Sequence, residues 1–205
     1  MAKVTGPLFS LTASGQIAKT LVYVPWKGLN NVRRYVVPTN PNTTLQDTQR
    51  DHLSDAVDTI HLAQSDADPM TEADVRAYAT WASTIKNAMT WFNMAAKNFI
   101  DQRVGAIHGA IYRKGVMTPG AASLVLTGEW TKDADSANDI TVGDGFYGTS
   151  KTALINSVAA VIVAGAYTVT IPGLVAGQKY YVQFRPSAHA DFVGANSGIY
   201  SGTPT

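Results

Sequence analysis

The chain has 205 residues, 45% hydrophobic and 15% charged, with a formal net charge of +1. That length holds one domain or two small ones, and the near-neutral balance argues against binding nucleic acid over the whole surface, which needs clustered cations. With no cysteine, disulfides, thiol nucleophiles and Cys-ligated metals are excluded. No apolar run reaches the roughly 18 residues of a membrane helix. The start, Met-Ala-Lys-Val-Thr-Gly-Pro, has no signal-peptide core, so synthesis in a host cytoplasm and no membrane contact are expected. The low charge and the Ala, Thr and Gly content suit a surface packed against copies of itself.

Residues 1–41 read as an extended arm. Leu21–Val24 and Val32–Val37 are short β-rich runs, with turn residues Gly28-Leu29-Asn30-Asn31 between them. Pro25 makes the first run an edge or bulged strand. A lone hairpin cannot bury both faces, so this arm needs a neighbour. Over residues 1–50, Lys3, Lys19, Lys27, Arg33, Arg34 and Arg50 face the single acid Asp47, a net charge of +5. Beside Trp26 and Tyr35 the cations suit stacking on single-stranded nucleic acid. The favoured reading is charge complementarity with residues 51–104, which carry −4.

Residues 42–104 read as two helices. The first opens at Thr43-x-x-Gln46, a capping box, and keeps Leu45, Leu53, Val57, Ile60 and Ala63 at an approximate helical period. Ser65-Asp66-Ala67-Asp68-Pro69 ends it. The second opens at Thr71-x-x-Asp74, with Glu72 and Asp74 favourable to the helix dipole. In it Val75, Tyr78, Ala82, Ile85, Met89, Phe92, Ala96 and Phe99 alternate spacings of three and four, a heptad seam. Trp81, Ala88, Trp91 and Ala95 form a second stripe. A helix apolar over most of its girth is buried, either within this chain or at a subunit contact.

Gly105, Gly109, Gly115, Pro119 and Gly120 punctuate the next stretch, so a boundary is expected near 114–119. Residues 118–205 read as all-β. Ala166–Ile171 and Lys179–Arg185 alternate, a Pro172–Gly177 turn separates them, and Ser123–Leu126 and Asp139–Val142 are earlier strand candidates. The stretch 153–164 fits a strand pair or a helix. The run Val169-x-Ile171-x-Gly173-Leu174-x-x-Gly177-x-x-Tyr180-x-Val182 resembles the late strands of fibronectin type III domains, where a Leu in the turn and a Tyr in the next strand pin the corner. The expected fold class is α+β: a β-hairpin arm over 1–41, a helical hairpin domain over 42–117, and an immunoglobulin- or fibronectin-like β-sandwich over 118–205.

Catalytic and ligand motifs are weak. Gly143-Asp144-Gly145-Phe146-Tyr147-Gly148 matches G-x-G-x-x-G, but no acid lies between 149 and 190 and no βαβ unit surrounds it, so a glycine-rich turn is expected. Asp133, Asp135, Asn138, Asp139 and Asp144 form an acidic loop, the one candidate for Ca²⁺, without EF-hand spacing. His52, His61, His108 and His189 include no H-x-x-x-H pair. No G-x-S-x-G elbow occurs, and Asp51, Asp55, Asp58, Glu72 and Asp74 read as a solvated helix face. No enzyme, cofactor or metal is expected.

The ordered set Gly6-Pro7-Leu8-Phe9-Ser10, Gly15, Trp26-Lys27-Gly28, Val32-Arg33, Pro38-x-Asn40-Pro41-Asn42-Thr43, Gln46 and Arg50 resembles the N-terminal region of small virion structural proteins of tailed bacteriophages. The resemblance covers residues 6–60. It implies a particle component: a homo-oligomer, or a part bound to a symmetric capsid lattice such as a decoration protein, with a tail or neck component next in rank. A host-side adhesion or carbohydrate-binding module is the reading from another class. The interface residues expected are Trp26, Arg33, Arg34 and Tyr35 on the arm, and Tyr78, Trp81, Ile85, Met89, Trp91, Phe92 and Phe99 on the helices, since aromatics dominate such contacts.

Overall fold

A computed structural model of the chain describes residues 2–4, 15–17, 19–27, 29–37, 43–85, 89–187 and 191–205. It is α+β, with three helices and three antiparallel four-stranded sheets among the described residues. Two compact units divide it, Met1–Thr43 and Thr44–Thr205.

The first unit is a sheet of β1 (Ala2–Val4), β2 (Gly15–Ile17), β3 (Leu21–Trp26) and β4 (Leu29–Arg34), in the order β1-β4-β3-β2. The hairpin expected from the two β-rich runs is its β3–β4 pair. Their register runs from Leu21 opposite Arg34 to Trp26 opposite Leu29, so the second strand starts earlier and ends earlier than its sequence run. Lys27 beside the turn is left-handed at φ +49°, as two-residue hairpin turns require. Strand β3 is an inner strand rather than an edge. Pro25 is accommodated because the pairing with β2 ends at Tyr23, so its missing N–H removes no described ladder bond.

The second unit begins with α1 (Thr44–Ser65), α2 (Glu72–Ala82) and α3 (Trp91–Val104). The long second helix expected from the heptad seam is thus two helices. The Ser83 and Thr84 hydroxyls donate back to the carbonyls of Thr80 and Trp81, at 2.6 and 2.7 Å. Thr90 then caps α3, its Oγ1 accepting from Asn93 N–H at 3.2 Å. Hydroxyl side chains that compete with the helix ladder favour such breaks and caps.

Eight strands follow. One sheet is β5 (Ala110–Gly120), β6 (Ser123–Lys132), β10 (Ala166–Ile171) and β9 (Val161–Val163), and the other is β12 (Tyr200–Gly202), β11 (Tyr180–Pro186), β7 (Gly143–Gly148) and β8 (Asn156–Ala159). Segment 153–164 is therefore extended, giving one strand to each sheet. The strand expected at Asp139–Val142 starts at Gly143 instead, because Asp139 holds the preceding loop by accepting from Trp130 Nε1 and Ile140 N–H, each at 2.8 Å. The two sheets share a core in which the rings of Tyr167 and Phe184 stack at 4.4 Å.

Strand β5 runs through the boundary expected near 114–119 and joins helices to sheets. Tyr112 enters the core between the sheets, and Ile111, the next residue, enters a helical core with Ile60, Tyr78 and Phe99. Alternation along one strand thus serves two cores. At the β5 bulge between Arg113 and Val116, Lys114 is left-handed at φ +56° and the Gly115 N–H turns toward α2. It meets Asp74, a fully buried carboxylate. Asp74 accepts from Gly115 N–H at 2.8 Å, from Tyr200 O–H at 2.6 Å, and from the Thr71 N–H and hydroxyl at 2.8 and 2.9 Å. The Thr71-x-x-Asp74 cap thus also clamps β5 and β12, and Asp74 is a core residue rather than part of a wet face.

Four tyrosines, Tyr78, Tyr112, Tyr167 and Tyr200, are buried around this junction. Burial raises the pKa of each phenol, with Asp74 adding charge repulsion at Tyr78, Tyr167 and Tyr200. A raised folded-state pKa means stability that is intact below the unfolded phenol value of about 10 and is lost as pH rises past it. In an alkaline titration followed by phenolate absorbance, these four should ionise only as the chain unfolds. Simultaneous ionisation of all nine tyrosines near pH 10 in a still-folded chain would contradict this.

Candidate functional site

The N-terminal unit contains five cations and no acid, and none of its residues whose side chains are described is buried. Alternation in the β3–β4 register puts Leu21, Tyr23 and Val32 on one face and Val22, Val24, Asn31 and Arg33 on the other. Arg33 and Arg34 are exposed, and Tyr35 is half-buried. The Tyr35 N–H donates to the Thr20 carbonyl at 2.7 Å. Both arginines, with Gln16, Val22, Tyr35 and Val36, line a hollow of about 410 Å³. Val36 and Val37 are 71% and 68% exposed. Trp26 ends β3, and its side chain lies outside the described part. The motif residues Gly6–Ser10, Gly28 and Pro38–Asn42 also lie outside the described residues.

The helical candidates divide in two. Tyr78 and Phe99 are fully buried in the chain's own core, where the Tyr78 phenolic oxygen accepts from Tyr112 N–H at 3.1 Å. Neither offers surface to a partner, which corrects their expected place at an interface. Trp81, Ile85, Met89, Trp91 and Phe92 are half-buried around the α2–α3 connection. Trp81 stacks on Tyr78 at 6.4 Å, and Trp91 meets Phe92 edge-on at 5.7 Å. Helix α1 adds apolar surface that periodicity assigned to the core. Ala56, Ile60 and Ala63 are buried, but Leu45 is 80% and Leu53 50% exposed, because only the second half of α1 supplies core residues.

The acidic loop is neutralised from within. Arg103 of α3 reaches Asp133 at 2.8 Å, Asp135 at 3.1 Å and Asp55 at 3.2 Å. Burial pulls the Arg103 pKa down, but these carboxylates outweigh it and the net shift is upward. His108 Nδ1 lies 3.2 Å from the same Asp133 carboxylate, beside Phe192. Among the described residues no set of three His, Asp or Glu side chains is placed to hold a metal. His61 is exposed, His52 half-buried, and His189 lies outside the described residues. Similarly, Arg113 reaches Asp66 at 3.1 Å, and Lys114 reaches Asp68 and Glu129 at 2.8 and 2.9 Å.

The G-x-G-x-x-G run is neither a phosphate loop nor the expected turn. It is strand β7, paired with β11 on one side and β8 on the other. A Cβ on Gly145 would stand 2.1 Å from Val169 of the facing sheet, and one on Gly143 2.5 Å from Phe184. The glycines thus serve close packing within the sheet core. Among the described residues no helix is long and apolar enough to cross a membrane. No protein-family model matches the chain, and no curated protein shows a significant match. Gly145→Ala should destabilise the second unit by about 1–3 kcal/mol through overpacking, read as a lower denaturation midpoint at unchanged slope. An unchanged midpoint would mean the sheets can separate locally without cost.

Proposed function

We propose that the chain is a structural protein of a tailed-bacteriophage particle, non-enzymatic, working by self-association or by seating on a symmetric capsid lattice. A capsid-associated part such as a decoration protein is the first assignment, and a tail or neck component the second. The observation that carries the reading is the N-terminal unit: a four-stranded sheet with exposed apolar positions, five cations with no acid, and no buried residue among those whose side chains are described. Such a sheet lacks the apolar burial that stabilises a domain, and a neighbour supplies it by strand addition or face packing. The residues of the phage-like motif lie in and beside that unit. Trp91 and Phe92 at the helical corner, with Leu45 and Leu53 on α1, are the further contacts of this assembly.

The second unit acts as the rigid body. Its strand orders, β5-β6-β10-β9 and β12-β11-β7-β8, correspond to the ABED and GFC arrangement of immunoglobulin-like sandwiches, with β8 as an added C′ strand. The phenol of Tyr180, opening β11, accepts from Val175 N–H at 3.2 Å across the corner after β10, as a tyrosine corner does. Leu174 of the same turn is buried. These features support an immunoglobulin- or fibronectin-like sandwich.

Light scattering of the full chain beside one lacking residues 1–41 tests the assignment. Arm-mediated assembly predicts a full-length oligomer that falls to monomer on deletion. A monomer in both, with no retention on phage capsids, would overturn it in favour of the host-side adhesion module.

A further inference from the structure

The ion pairs of the described residues run through Arg50, Arg76, Lys97, Arg103, Arg113, Lys114 and His108. Lys151 and Arg185 belong to none of them, although every acid in the chain is among the described residues. Both cations line one cavity of about 240 Å³, together with Trp81, Thr84, Thr152 and Gln183.

Arg185 is held ready. Its Nε donates to Gln183 Oε1 at 2.9 Å, and Gln183, only 2% exposed, is fixed in turn by donating Nε2 to the Ser197 carbonyl at 2.8 Å. The guanidinium carbon lies 4.4 Å from the centre of the Phe146 ring. Asp144 stands opposite Arg185 in the β7–β11 register but forms no ion pair with it. The two terminal guanidinium nitrogens therefore have no partner among the described residues. Burial lowers the Arg185 pKa, with no carboxylate to offset it. Lys151 is oriented by donating Nζ to Ser83 Oγ at 2.9 Å.

A half-buried guanidinium without a counter-charge carries a desolvation cost. Its free edge matches the two oxygens of a carboxylate or phosphate. The cavity falls below the roughly 300 Å³ of drug-sized sites, which limits the guest to one small group. Thr84, Thr152 and Gln183 add polar lining, Trp81 an aromatic wall, and Leu154 and Ile199 an aliphatic one. We propose that this pocket binds an oxyanion carried on a single sugar ring, a sugar acid or sugar phosphate. Arg185 takes the anion as a fork, Lys151 adds charge, and Trp81 walls the ring. The site does not depend on the particle assignment.

The test is an NMR titration of the ¹⁵N-labelled full chain with glucuronate, glucose 6-phosphate, inorganic phosphate and neutral glucose. Concentrations reach about 20 mM, where a millimolar site is nearly saturated. Saturable shifts at the Arg185 Nε–H and Trp81 Nε1–H signals with glucuronate or glucose 6-phosphate, stronger than with inorganic phosphate and absent with glucose, are expected. Arg185→Met should weaken binding at least about ten-fold. Lys151→Met, a partly exposed change with little to disturb in the fold, should weaken it and flatten its salt dependence. Three results would overturn the proposal: no response to either sugar anion, an equal response to glucose, or affinity undiminished in both variants.

Discussion

One buried carboxylate holds the second unit together. Asp74 begins as an ordinary capping residue of α2, yet it also receives the Gly115 N–H of the β5 bulge and the Tyr200 hydroxyl of β12. A buried charge is tolerated only when its lone pairs are satisfied, and here the donors come from three places: the α2 cap at Thr71, the β5 bulge and β12. Removing the carboxylate would strand two buried donors, the Gly115 N–H and the Tyr200 hydroxyl, each at about 1–3 kcal/mol. The bulge, the left-handed Lys114 and the absence of a side chain at Gly115 are intelligible as the means of bringing one N–H to this point. A Cβ on Gly115 would stand 2.3 Å from the Tyr200 phenol. The helices are therefore fixed to the sheets by a polar junction, with Ile111 and Tyr112 packing on either side of β5.

Where local pattern and tertiary demand agree, the fold was legible. Strands β10 and β11, the turn between them, Leu174 and Tyr180 follow from alternation and turn chemistry, and the α2 start follows from Thr71-x-x-Asp74. Where they conflict, it was not. The heptad seam passes numerically through Ile85 and Met89, but periodicity does not register that Ser83 and Thr84 hydroxyls end a helix and Thr90 starts another. Strand β7 is half glycine and reads as a turn, because the neighbours that require its glycines, Val169 of the facing sheet at Gly145, Phe184 at Gly143 and the Ala153 carbonyl at Gly148, are brought there only by folding. Leu45 and Leu53 sit at core-like spacing, and only the structure shows that the first half of α1 has little core to meet.

The same division applies to the candidate sites. Aromatic content marked the helical corner, and five of its seven residues are at least partly accessible; Tyr78 and Phe99 were indistinguishable from them by spacing. The acidic loop looked like a cation site, and its cation is the chain's own Arg103. Arg185 carried no signal, since a lone cation on an alternating strand is commonplace. Its interest arises from what is missing around it after folding.

The two units differ in how they are stabilised. The second has two cores, several ion clusters and a satisfied polar junction. The first has a four-stranded sheet and no fully buried side chain among those described. The claim on which the account turns is that this sheet gains its stability from a neighbour. Hydrogen–deuterium exchange of the full chain, followed as its concentration is raised, measures this directly. The account predicts that strands β1–β4 exchange rapidly in dilute monomer and become protected on association, while β5, β6, β10 and β11 are protected throughout. Slow exchange of β3 and β4 in a proven monomer would contradict it.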